Sequence, residues 1–331
     1  MWRILGGLFL GWSLGANHSA NIFGTAVASG LVRFSHALWL TAVYVLLGAV
    51  MEGVKCMSTY GKLALVHPDT AFLLTISTAV TMTVLTRAGI PASTSQALVG
   101  AILGWSFLET SPDYSQLAKI VLCWTLTPVT SLICSAGLHR AFAKLIVERI
   151  ASFSARNRFY FVAVLLTGCY AAYGLGANSV ANVTGVYVTS GLVSTQAGAL
   201  IGGLSMALGI LTYSGRVMMT VGKGIVPLDP FSAMVVVFAE AATLHLFTQL
   251  GVPVSSSQAV VGAVVGIGFV KGLETINRRV VLKIGLGWVV TPLCAGVLAL
   301  VAHTLLMLAG AASLASLFAK TLALVSLLNL R

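Results

Sequence analysis

Apolar residues in this chain run in long unbroken stretches, and polar residues gather in short knots between or inside them. Segments 71–85, 120–138, 235–242 and 289–312 are almost free of charge. A helix needs roughly 20 apolar residues to span the hydrocarbon, so this length allows on the order of ten crossings, some of them broken or re-entrant. The runs are continuous rather than alternating, which argues against the strand pattern of a membrane barrel. The expectation is an all-α polytopic membrane protein.

The polar knots come in pairs. Gly15-Ala16-Asn17-His18-Ser19-Ala20-Asn21 returns as Gly176-Ala177-Asn178-Ser179-Val180-Ala181-Asn182. Pro91-Ala92-Ser93-Thr94-Ser95-Gln96-Ala97 returns as Pro253-Val254-Ser255-Ser256-Ser257-Gln258-Ala259. A third echo matches Lys119-Ile120, Leu122, Trp124 and Thr127-Pro128 to Lys283-Ile284, Leu286, Trp288 and Thr291-Pro292. Three motifs in one order at nearly one spacing indicate an internal duplication. Paired polar interruptions in matching halves of a membrane protein point to a transport site between the repeats. The expected organisation is a single transmembrane domain over residues 1–331. Repeat one covers about 4–143, a charged linker 144–158, repeat two about 159–308, and an extra C-terminal helix 309–331. The start, Met1-Trp2-Arg3 running into 4–14, looks like a signal peptide but leads directly into the first knot, so it reads as a retained membrane helix.

Composition agrees with the pattern: 58% of residues are hydrophobic and 8% charged, against about 25% charged in soluble domains. The net charge of +11 raises nucleic acid as a partner, but the basic residues sit in short breaks between apolar runs. Lys144, Arg149, Arg156 and Arg158 occupy one break, and Lys271, Arg278, Arg279 and Lys283 another. Such breaks read as cytoplasmic loops, and no soluble module offers a basic groove. The five cysteines are scattered without metal-ligand spacing and read as apolar packers. No set of nucleophile, base and acid appears, so an enzyme is not expected. The partners expected are a small solute and the lipid bilayer of a cell (inner) membrane; a homo-oligomer is compatible with the sequence.

Each knot has its own chemistry. Asn17 and Asn21, like Asn178 and Asn182, are four residues apart and would share a helix face. If the helix opened at Gly15 or Gly176, freed backbone groups would become available to an ion, and irregular backbone at that depth must line a cavity. The alternative is that these residues join helices by hydrogen bonds. In the second knot, Gly-x-Pro stops the preceding run. A new helix then begins behind a hydroxyl N-cap, giving two re-entrant hairpins tipped with Ser93, Thr94, Ser95, Gln96 and Ser255, Ser256, Ser257, Gln258. Hydroxyls and free N–H groups suit a tetrahedral oxyanion; a merely capped helix start is the alternative.

Together, the paired Gly-Ala-Asn-x-x-Ala-Asn, Pro-x-Ser-x-Ser-Gln and Trp-x-x-Thr-Pro motifs resemble those of the inorganic phosphate transporter family, over nearly the whole chain. The resemblance implies inverted repeats, broken helices and hairpin tips around a substrate site, and phosphate uptake coupled to Na⁺ or H⁺ by alternating access. It places substrate binding on Asn17, Asn21, Asn178 and Asn182, on Ser93, Thr94, Ser95 and Gln96, and on Ser255, Ser256, Ser257 and Gln258. One departure changes the picture: His18 and Ser179 stand where the family usually carries aspartate. A Na⁺ near Asn17 and Asn178 would then lack anionic ligands, and no other metal is expected. Phosphate, partly protonated near neutral pH, gains from a carboxylate acceptor, whereas sulfate prefers donors alone. Phosphate stays the first expectation, with sulfate or a related oxyanion, or an anion channel, as the alternative. His18 and Ser179 join the binding set, and His18 is a candidate for proton coupling.

Two further charges stand within apolar runs. Glu52 lies one turn from Lys55, near where a helix should end, and an interfacial salt bridge is expected there. Glu240 sits deeper and is a candidate for coupling or gating, with His245 about one turn away. Asp69 and Asp229, beside prolines, are expected to cap helices.

Overall fold

In the computed structural model, the described residues are 2–28, 30–64, 66–88, 92–145, 149–150, 152–221, 228–272, 276 and 278–308. The expected C-terminal helix 309–331 lies outside them. After a 3-10 turn at Trp2–Ile4 come α1 (Leu5–Ala28), α2 (Phe34–Glu52), α3 (Val54–Leu63), α4 (Pro68–Arg87), α5 (Thr94–Glu109) and α6 (Tyr114–Leu145). The second half contributes α7 (Phe153–Thr189), α8 (Thr195–Val221), α9 (Pro230–Gln249), α10 (Ser256–Lys271) and α11 (Arg278–Leu308). Among the described residues, seven helices, α2, α4 and α6 to α9 with α11, are long and apolar enough to cross a membrane. The chain is a multi-pass membrane protein. The outer faces of α6 and α11 carry exposed Leu122, Ile133, Leu286 and Leu293, as a surface against hydrocarbon requires.

Helix boundaries repeat along the chain. α4 and α9 are both 20 residues long, and α5 and α10 both 16. Each starts 162 residues after its counterpart. The halves do not stand side by side. The most extensive packing runs between them: α1 on α8, α2 on α7, α5 on α11 and α6 on α10.

Small residues make these crossings close. A Cβ on Gly100 of α5 would meet the backbone of Pro292 in α11, and one on Gly262 of α10 the backbone of Pro128 in α6. Lipid tails are as apolar as leucine, so membrane helices associate through such tight backbone approach rather than through hydrophobic burial. Pro128 and Pro292 lie inside α6 and α11 without ending them. The preceding threonines bond back to their own helices: Thr127 Oγ1 donates to Cys123 O at 2.7 Å, and Thr291 Oγ1 to Gly287 O at 2.5 Å, a back-bonding that helps a helix bend.

The first knot does not open its helices. α1 runs unbroken through Gly15–Asn21, and α7 through Gly176–Asn182. A Cβ on Gly15 would strike the carbonyl of Met206 in α8, and one on Gly176 the carbonyl of Val45 in α2. These glycines are crossing points, and their carbonyls stay in the helical ladder. The breaks fall instead between α4 and α5 and between α9 and α10. The second is set by Gly251 at φ 70°, where the N–H of Val252 returns to Phe247 O at 3.0 Å, a left-handed helix end that favours glycine.

Among the charged residues, Glu52 accepts from Lys55 Nζ at 3.2 Å, as expected, and from Gln249 Nε2 at 2.5 Å. Asp229 is the N-cap of α9, accepting from the N–H of Ser232 at 2.9 Å. Asp69 is not a cap: His67 holds that position in α4, and the Asp69 carboxylate is paired with Arg3 at 2.6 Å.

Candidate functional site

Both hairpin helices begin in the same way. Ser93 caps α5 by accepting the N–H of Gln96 at 3.4 Å, and Ser255 caps α10 by accepting that of Gln258 at 3.2 Å. A second hydroxyl closes each turn: Ser93 Oγ lies 3.2 Å from Ser95 Oγ, and Ser255 Oγ 2.8 Å from Ser257 Oγ. The N-terminus of a helix presents unpaired N–H groups and the positive end of its dipole.

These two helix starts, one from each half, face a common cavity. It is tight, with free room of only about 10 Å³, and is lined by Leu14, His18, Ser93, Thr94, Ser95, Ser179, Asn182, Val254, Ser255 and Ser256. Eight of the ten lining residues are polar, all of them buried, and none is a carboxylate. His18 Nδ1 lies 2.8 Å from Ser256 Oγ, tying α1 to the start of α10. Thr94 Oγ1 is buried and has no hydrogen-bond partner among the described residues. An unpaired buried hydroxyl costs about 1–3 kcal/mol, so its presence in a polar cavity points to a ligand that completes it. Two helix N-termini and seven hydroxyl or imidazole groups make a surface suited to a small oxyanion.

The remaining residues singled out from sequence lie elsewhere. Asn178 is wholly buried, and its carboxamide is engaged at both ends. Oδ1 accepts from the N–H of Val254 at 2.9 Å, while Nδ2 donates to Thr248 Oγ1 at 3.0 Å and to the carbonyls of Val252 and Leu244 at 3.3 and 3.5 Å. It pins the α9–α10 hairpin to α7 and lines no part of the cavity. Asn17 is partly exposed and outside the lining; the side chain of Asn21 lies outside the described residues. Gln96 and Gln258 are buried behind the hairpin tips, each with Oε1 unpartnered among the described residues, and Ser257 is half-buried.

Glu240 is buried in α9 away from the cavity, with Oε2 unpartnered among the described residues. It does not meet His245. The His245 ring instead lies 3.5 Å from Glu52 and 3.0 Å from the Tyr170 hydroxyl. Five residues turn an α-helix by about 140° beyond a full turn, so the two side chains leave α9 on different sides. No group of three or more His, Cys, Asp or Glu able to hold a metal occurs among the described residues.

One residue at the site carries no sequence signal. Tyr60 of α3 is fully buried, and its hydroxyl donates to Asn182 Oδ1. It stands in the mixed stretch Ser58-Thr59-Tyr60-Gly61-Lys62, outside every repeated motif.

The sequence profile of the phosphate transporter family matches residues 14–299. This chain belongs to that family. Its members are permeases, not enzymes. A protein of Methanocaldococcus jannaschii named "Putative phosphate permease" is 29% identical over 287 residues, 87% of this chain and 91% of that protein. The sulfate permease CysP of Bacillus subtilis is also 29% identical, over 297 residues, 87% of this chain and 83% of its own length. Among solved structures, a sodium-dependent phosphate transporter superposes with a TM-score of 0.81 at 23% identity, covering 92% of this chain and 98% of the other. The two share a fold.

Proposed function

We propose that this family member is a secondary transporter of inorganic phosphate, coupled to a cation gradient and working by alternating access between its two halves around the shared cavity. The observation that carries this reading is the convergence of Ser93, Thr94 and Ser95 from one half with Ser255 and Ser256 from the other on one buried polar space. A site built from both halves changes its access when one half moves against the other. The names of the relatives add phosphate as the solute.

The coupling ion is H⁺ or Na⁺. The related fold is named sodium-dependent, yet the lining holds no carboxylate, so Na⁺ would rest on neutral oxygens alone. His18, hydrogen-bonded to Ser256 across the halves, is the titratable group in the lining and favours H⁺. The same carboxylate-free lining supports a second reading, sulfate, whose oxygens only accept hydrogen bonds. A relative named as a sulfate permease fits that chemistry.

The test is uptake of labelled phosphate and labelled sulfate into proteoliposomes, with Na⁺ and pH gradients imposed separately. Saturable phosphate uptake driven by one gradient supports the first reading. Sulfate uptake that follows the pH gradient alone favours the second, and non-saturating flux indifferent to both gradients indicates a channel.

A further inference from the structure

We propose that Tyr60 is a specificity-determining residue: by holding the orientation of Asn182 it makes that side of the cavity a donor of hydrogen bonds only. The inference rests on the reading of the cavity as the oxyanion site.

A carboxamide has two unlike ends, an oxygen that accepts and an NH₂ that donates. Which end faces a ligand decides which ligand is welcome. Asn182 lines the cavity, and its oxygen is taken by the Tyr60 hydroxyl. Both side chains are buried, at 2% and 0% exposure, so no competing water restores the balance if that bond is lost. With Oδ1 engaged, the end left for the cavity is the NH₂ group. Sulfate and the phosphate trianion present acceptors alone. Hydrogen phosphate also presents a P–OH that must donate, and a donor-only wall offers it nothing on that side. Asn178, four residues earlier on α7, is engaged at both ends by the hairpin backbone and Thr248. Asn182 is engaged by Tyr60 at one end. The orientation of the amide is therefore decided by one phenol from α3, a helix that supplies no group to the lining itself.

Replacing Tyr60 by Phe keeps the ring and removes the O–H. The carboxamide is then free to turn and present its oxygen to the cavity, where it accepts from P–OH and repels an ion without a proton. The ratio of half-saturating sulfate to half-saturating phosphate should rise about tenfold or more, the factor expected from exchanging one charge-assisted donor for a repelling acceptor. Where only one anion is carried, the half-inhibiting concentration of the other supplies the ratio.

The experiment uses the full chain in proteoliposomes at one fixed pH, comparing the parent with Tyr60→Phe, Asn182→Ala, the double variant and Asn182→Asp. Each is first shown to elute as the parent does in detergent. The expected result is a shift toward phosphate in Tyr60→Phe, the same direction of shift in Asn182→Asp, and no effect of Tyr60→Phe once Asn182 is Ala. An unchanged ratio in Tyr60→Phe, a shift that persists in the Asn182→Ala background, or an Asn182→Asp ratio that stays at the parent value would each overturn the proposal. A parent protein that moves neither anion would instead refute the transport reading itself.

Discussion

The two copies of the Asn-containing knot occupy matching places in the chain and do different jobs. In the second, Asn178 is spent on architecture, holding Thr248, Val252 and Val254 of its own hairpin, while Asn182 one turn later reaches the cavity. In the first, His18 extends across the halves to Ser256, whereas its counterpart Ser179 lines the cavity with a short hydroxyl. The bulky titratable group in the lining therefore comes from the first copy alone. The hairpin tips, by contrast, have stayed alike, with the same caps and the same Ser–Ser contact in both halves. The two helix starts are the alike part of the lining, and His18 against Ser179 the unlike part.

The largest effect should separate the two asparagines of α7. Asn178→Ala strands the buried N–H of Val254 and releases three acceptors, Thr248 Oγ1 and the carbonyls of Val252 and Leu244, for a loss of about 3 kcal/mol or more of stability, seen as a lower Tm in detergent. Asn182→Ala should raise the half-saturating anion concentration about tenfold while keeping most of its Tm; equal thermal losses would break the distinction. The symmetric crossings come next. Gly100→Ala and Gly262→Ala should each cost about 1–3 kcal/mol through overpacking against Pro292 and Pro128, and by similar amounts, since the two contacts match. A Tm loss in only one of them would show that the two halves are held differently.

The asymmetric pair is sharpened by His18→Ala, expected to lower uptake about tenfold or more, against a few-fold for Ser179→Ala, following the worth of one hydrogen bond to a charged group. Thr94→Val removes a hydroxyl that has no protein partner among the described residues. Its Tm should hold or rise while KM climbs about tenfold; a fall in Tm with unchanged KM would mark Thr94 as structural. The smallest effect is at Asp229, outside the spans. Burial works to raise its carboxyl pKa, but the Lys271 ammonium and the N–H and O–H of Ser232 outweigh it and hold it below the usual range. A lowered folded pKa contributes stability above the unfolded value of about 3.9 and loses it as pH falls through the folded one. Asp229→Asn should therefore lower Tm slightly near neutral pH, and the difference should vanish in acid.

Much of this was legible because motifs are local. The hydroxyl caps at Ser93 and Ser255 follow from a helix-stopping glycine and proline with Ser two residues after the proline, and the helical class follows from apolar runs alone. The role of Asn178 was not legible, because its partners are backbone groups and a threonine 66 to 76 residues away, and an Asn that glues helices looks the same in sequence as one that binds a ligand. Gly15 and Gly176 suggested broken helices for a similar reason: glycine weakens a helix and also lets another backbone approach, and packing against Met206 and Val45 decides for the second use. Tyr60 was invisible since a lone tyrosine outside the repeated motifs has no spacing to read.

The central claim, that one cavity shared by both halves holds the oxyanion, is tested most directly by locating the ion. Crystals of the protein grown with arsenate, a tetrahedral phosphate analogue, would give an anomalous-difference peak. The account predicts that peak among His18, Thr94, Ser179, Asn182 and Ser256, within hydrogen-bonding reach of the α5 and α10 starts. A single peak elsewhere, with this cavity closed and empty in protein that transports, would contradict it.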